Sequence, residues 1–213
     1  MNSVIFFRSC LLGGLLFLTA CESTPMRYHA LSENDGIRGA SSSGDVKVLV
    51  EIAPVSLPDR VDRPEIVAGE TDGRVRVLEF DRWAGELSNE IGLVLDRTLW
   101  TRLGAANVYQ APLSETAAGR KPYFRLNVSL TRFDAVPGSG ATVDGTWTLR
   151  RLGGERLAAC RFTAVQPLAG ESAEEIASSL RQAVGVFAGA VATSMEKLQG
   201  GGRTPCAGLE RGG

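Results

Sequence analysis

A chain of 213 residues, 44% of them hydrophobic, is long enough to bury the core of one domain and to carry tethers at its ends. Its formal net charge of −1 gives it no electrostatic reason to seek nucleic acid, and it has no basic run to hold an anionic membrane surface. Its single histidine, His29, argues against a Ser-His-Asp triad, a His-metal centre or a Cys-His pair.

The first segment reads as a secretory signal. Arg8 is the one charge before Cys21, the apolar run Leu11 to Leu18 follows it, and the small residues Thr19 and Ala20 lead into the cysteine. That ending resembles the bacterial lipoprotein signal, in which the cysteine thiol is diacylated and, after cleavage, its amine is acylated too. Cys21 is thus the expected lipidation site, carrying palmitate-type chains, with 1–20 as the signal peptide. The apolar stretch falls short of the ~20 residues a membrane span needs, and no later stretch is expected to span.

Residues 21–45 are rich in Ser, Gly, Asn, Asp and Glu and read as a lipidated N-terminus and flexible spacer, with Tyr28 to Leu31 as a short edge strand inside it. Val46, Val48, Val50 and Ile52 share one face of a period-two strand. Pro54, Pro58 and Pro64 forbid ladder pairing, so 53–64 reads as an ordered loop. Two short strands, Glu65 to Val67 and Arg74 to Phe80, flank a turn at Asp72-Gly73. From Asp81, a plausible N-cap, the period turns helical through Trp83, Leu87, Ile91, Val94, Leu95 and Trp100 to Leu103, and Gly104 stops the helix. Asn107 to Tyr109 reads as a strand.

Three stronger strands come next. Phe124, Leu126, Val128 and Leu130 alternate with polar residues until Phe133 breaks the pattern, which predicts a bulge near Thr131. The turns Pro137 to Gly140 and Gly153-Gly154 separate strands carrying Ala141, Val143, Gly145, Trp147 and Leu149, then Ala158, Cys160, Phe162 and Ala164, on one face. This is an antiparallel meander with one wet face. Ser172 with Glu175 forms a capping box, and Ile176, Leu180, Val184, Phe187, Val191 and Leu198 mark a long helix behind it. The expected fold is α+β, an antiparallel β-sheet with two long helices packed on one face, over a domain at 46–198 with a flexible Gly-rich tail at 199–213.

Few groups on offer do chemistry. No nucleophile elbow, phosphate loop or dinucleotide motif is present, and no cofactor or metal is expected. Asp59 and Asp62 have the residue types of an acid/base pair, but each has an arginine beside it in sequence, which favours turn and ion-pair roles. His29 is expected at the surface near the tether. Trp83 and Trp147 are expected in the core, and Trp100, off the strictest helical stripe, is the candidate for exposure. Cys160 and Cys206 are left after Cys10 departs with the signal and Cys21 is acylated. A disulfide and two free thiols are both open, because the distance between them is not in the sequence.

Taken together, these residues resemble the PqiC/YmbA-type ABC-transport auxiliary lipoproteins. The similarity rests on the lipobox cysteine, Tyr28 to Leu31, Val50 to Pro58 leading into Val61 to Val67, Leu78-Glu79-Phe80 before Arg82-Trp83-Ala84, Leu126 to Phe133, and Val143 to Trp147. It implies a non-enzymatic lipoprotein on the periplasmic face of the outer membrane. The implied partners are an MCE-domain periplasmic protein and its inner-membrane permease, and the implied cargo is phospholipid or another apolar molecule. Glu22, where inner-membrane retention usually places aspartate, favours the outer membrane. The segment 54–67 is the expected contact surface, with Pro58, Asp62, Arg63 and Trp83 as its partner-binding candidates. A homo-oligomeric ring matching a ring-shaped conduit would multiply weak contacts. A structural lipoprotein that assists or plugs an outer-membrane β-barrel is the alternative reading.

Overall fold

The computed structural model describes residues 24–32, 46–110, 121–153, 157–201 and 206. The signal segment 1–20, Cys21 and most of the expected tail lie outside the described residues. In chain order the elements are β1 (Arg27–His29), β2 (Val48–Ile52), β3 (Glu65–Gly69), β4 (Val75–Trp83), α1 (Leu87–Leu103), β5 (Ala105–Asn107), β6 (Tyr123–Val136), β7 (Gly140–Arg151), β8 (Leu157–Gln166) and α2 (Ala173–Gln199).

The alternation seen in the sequence builds the meander β6–β7–β8, whose pairs are antiparallel. Phe124, Leu126, Val128 and Leu130 are buried, while Arg125, Asn127 and Ser129 between them are exposed. The pairing slips between Leu130 and Arg132, so Thr131 is the extra residue of a bulge and Phe133 returns to the buried side opposite Val143. At the β6–β7 turn the Ser139 amide donates to the Val136 carbonyl at 2.9 Å. Gly138 there has φ +76°, a conformation that suits glycine.

The capping box starts α2 as expected. The Glu175 amide donates to Ser172 Oγ, and the Glu175 carboxylate accepts from the Ser172 amide. Its buried stripe, Ile176, Leu180, Val184, Phe187 and Val191, lies on the meander. Phe187 meets Trp147 edge to face with ring centres 5.3 Å apart, and Phe162 closes the cluster. By length and composition α2 could cross a bilayer, contrary to the expectation that no later stretch could. Its apolar side is instead buried against the sheet. Helix α1 lies beside α2 over β2 and β5, so both helices cover one face of the five-stranded sheet.

The α+β class with two helices is as expected, but the strands divide into two sheets of mixed direction. The larger has the order β5-β2-β6-β7-β8, and the smaller β1-β4-β3. The pairs β2–β5, β2–β6 and β1–β4 are parallel. Parallel neighbours need long crossovers, and α1 lies in the crossover between β2 and β5. All five residues of β2 are buried, not only the expected face, and on the second face Tyr109 and Arg125 lie against Glu51. The strand expected at Asn107 to Tyr109 sits two residues earlier, and Val108 to Gln110 form a turn.

The helical period was expected to begin at Asp81. Instead β4 runs on through Trp83, and α1 starts after Glu86 with no side-chain cap. Asp81 is drawn into the strand by long-range partners, described below. Trp83 is buried, and its ring meets Phe133 edge-on at 6.1 Å. Cys160 on β8 and Cys206 beyond α2 are joined by a disulfide, with Cα atoms 5.4 Å apart.

Two substitutions test this packing. A Cβ at Gly145 would stand 2.7 Å from the Ser129 carbonyl oxygen and from Leu130 Cδ2 across the bulge. Gly145→Ala is expected to cost about 1–3 kcal/mol in urea unfolding, as overpacking does. The disulfide spans 46 residues of chain and encloses α2. Cys206→Ser is expected to lower stability by about 2–4 kcal/mol, read as the same shift that reduction produces in the wild-type protein.

Candidate functional site

The proline-rich loop is built on β6. Beyond β2 the chain continues alongside it: the Ala53 amide donates to the Leu126 carbonyl and the Ser56 amide to the Val128 carbonyl, both at 3.0 Å. Val55 and Val61 are buried and act as plugs on either side of a turn in which the Val61 amide donates to the Pro58 carbonyl at 3.0 Å. Plugs and turn leave Asp59, Arg60, Asp62 and Arg63 exposed and Pro58 half-buried. The Arg63 guanidinium bonds Glu65 at 3.0 Å, and Arg82 reaches the other oxygen at 3.3 Å. The hydrogen bond from Arg63 holds the Glu65 carboxyl below the usual range. The Trp83 amide donates to the Pro64 carbonyl at 2.8 Å. Trp83 therefore supports the loop from beneath, while Asp62 and Arg63 stand on its surface.

An open groove of about 570 Å³ borders this loop at the ends of the parallel strands β2 and β5. Ile52, Pro54, Val55, Leu93 and Tyr109 give it apolar walls. The Tyr109 hydroxyl donates to Glu51 at 2.5 Å, and Arg125 donates to the other Glu51 oxygen at 2.9 Å, which fixes the exposed ring in place. The bonds from Arg125 and then Tyr109 lower the Glu51 carboxyl, and Glu51 in turn raises the phenol. Among the described residues no acid, histidine or cysteine lines the groove, and those that do offer apolar contact with a few amide and hydroxyl groups. Sequence reasoning missed it because its walls come from three distant segments. The one usable signal was Leu93, an apolar residue off the buried stripe of α1 and 41% exposed.

A third feature lies where a spacer with a short edge strand at Tyr28 to Leu31 was expected, and the strand is present as β1. Residues 27–32 are clasped into the domain. Strand β1 pairs with β4, and Asp81 receives Arg27 through two bonds of 2.8 and 2.6 Å and the His29 ring at 2.8 Å. His29 is thus half-buried in a polar cluster, not a free surface residue near the tether. Leu31 is buried, and its amide donates to Glu90 on α1 at 2.9 Å, with the Ser32 amide on the same oxygen at 3.2 Å. Arg181 on α2 donates twice to the Ala30 carbonyl, at 3.1 and 2.8 Å. Burial alone would raise the Asp81 carboxyl, but the bonds from Arg27 and His29 outweigh it and hold it below the usual range.

The clasp carries two expectations. A carboxyl lowered in the folded state adds stability above the ordinary aspartate range of about pH 4 and loses it as pH falls through the lowered value. The stability advantage of wild type over Asp81→Asn should therefore shrink as urea midpoints are followed from about pH 6 down to about pH 2. Glu90→Ala leaves the Leu31 and Ser32 amides without their acceptor. It is expected to cost about 1–3 kcal/mol and to speed hydrogen exchange at those two amides before the rest of the domain.

The crystal structure of an uncharacterized protein superposes with a TM-score of 0.63 at 18% identity, covering 81% of this chain and 99% of that one. A Xanthomonas campestris protein described under the family model DUF330 gives a TM-score of 0.59 at 17% identity over 84% of this chain and 95% of its own. At these identities the likeness is one of fold. No curated protein matches the sequence significantly. The family model described as an ABC-type transport auxiliary lipoprotein component matches residues 30–192, a span that takes in β2 to β8, α1 and most of α2. The chain belongs to that family, a transport auxiliary component and not an enzyme family.

Proposed function

We propose that this protein is a non-enzymatic lipoprotein of the outer membrane, acylated at Cys21 and facing the periplasm. In this reading it docks an MCE-domain conduit that runs to an inner-membrane permease, and the system moves phospholipids or other apolar molecules between the membranes. The match to a transport auxiliary family across the folded domain carries the reading. The surface supports it: the loop at Pro58, Asp62 and Arg63 is held rigid by Val55, Val61 and Trp83, so it can recognise a partner without first losing entropy. The apolar groove beside it suits a partner side chain more than a reaction.

Crosslinking of the full-length lipoprotein in membranes, followed by affinity purification, tests the reading. An MCE-domain protein as the main partner supports it. A β-barrel as the main partner supports the envelope-assembly reading instead. Arg63→Glu sets two acids together beside Glu65 on an exposed loop. It is expected to reduce partner crosslinking at least about tenfold, the size of a lost charge-assisted contact, with an unchanged circular dichroism spectrum.

A further inference from the structure

We infer that the outer face of β1 and β4, carrying Met26, Tyr28 and Phe80, rests on the lipid surface to which the chain is anchored. The inference depends on the proposed acylation of Cys21. With the segment at 27–32 locked to β4, α1 and α2 by the Asp81, Glu90 and Arg181 contacts, the tether is only the chain from Cys21 to Met26. Five residues reach at most about 17 Å when extended. A domain of this size is about 40 Å across, so only the part around β1 can lie near the anchor. The stretch between Ser32 and Val46 connects two parts of the same domain and adds nothing to this reach.

The surface at that place fits a lipid interface. Tyr28 stands opposite Arg82 in the register, and Met26 and Phe80 lie two residues before them; the β3–β4 pairing slips across Glu79 to Asp81, and it is exposure that puts Met26 and Phe80 on the outer side with Tyr28. They are 65%, 43% and 43% exposed, three large apolar side chains together, whereas Asp81 and Trp83 on the opposite side are buried. A tyrosine beside Met26 and Phe80, with the Arg82 guanidinium opposite it, is the composition of the membrane–water boundary, where the ring contacts acyl chains and the hydroxyl and the charge stay wet. A leash of the whole 21–45 segment would have left orientation free. The clasp sets it.

The test uses the full-length acylated protein on phosphatidylethanolamine–phosphatidylglycerol vesicles. With Cys21 acylated and Cys160 bonded to Cys206, single cysteines at Tyr28→Cys, Phe80→Cys and Thr146→Cys can be spin-labelled selectively. Thr146, exposed on the open face of the larger sheet, is the control. The ratio of collision rates with oxygen to those with a nickel chelate should be at least about threefold higher at positions 28 and 80 than at 146. Hydroxyl-radical footprinting of the unaltered protein should show Met26 and Tyr28 shielded by vesicles to a similar degree, which covers the case of a labelled variant that misfolds. Equal ratios at all three positions, or unchanged footprints on an acylated, vesicle-bound protein, overturn the inference and leave the acylation standing. A mature chain without acyl groups by mass spectrometry overturns both.

Discussion

The edge-to-face contact of Trp147 with Phe187 locks helix α2 to the meander, and the rest of the molecule is arranged around that lock. Large side chains such as these contribute about 1.5–3 kcal/mol each when taken out of water. They also set the distance between helix and sheet, leaving room beside α2 for α1. Arg102 of α1 then ties the two helices by bonding the Gly189 carbonyl, Thr193 and Glu196 along α2. The disulfide closes the chain over the same helix, from β8 to the residues that follow it. A helix apolar enough to enter a bilayer has its apolar side buried in this way in the core of the domain.

With that frame in place, the N-terminal segment acts as a strap. Its three residues of strand could not hold alone, since so short a pairing is marginal in water. Asp81, Glu90 and Arg181, supplied by β4, α1 and α2, hold it through side chains that each bridge distant parts of the chain. The strap leaves only the chain before Arg27 between the smaller sheet and Cys21, the proposed acylation site.

The exposed chemistry of the domain suits recognition. On the open face of the larger sheet Asp144 gathers Arg161, Thr131 and Thr163, and the bond from Arg161 keeps its carboxyl low and charged. In the proline loop the ion pairs reach out to the neighbouring strands: Arg60 approaches Asp134 on β6 at 4.0 Å, and Arg63 and Arg82 share Glu65 on β3. Groups so paired hold geometry and present charge. A member of a transport auxiliary family needs that more than it needs a general base.

What was legible in the sequence was what short-range physics decides. Alternation named the meander strands, the break at Phe133 located the bulge at Thr131, and Ser172 with Glu175 marked the start of α2, because each depends on neighbours a few residues apart. The proline-bounded charged loop that holds Pro58, Asp62 and Arg63 was visible as a loop for the same reason. Only the tertiary structure decided the parallel pairings, the burial of both faces of β2, the groove at Leu93 and Tyr109, and the union of Cys160 with Cys206. Asp81 shows the reason most directly. As a residue before a helical pattern it has the signature of an N-cap, yet Arg27 and His29, more than fifty positions away, supply stronger partners and keep it in a strand. Contacts of that separation leave no local period, so they exist only once the chain has folded.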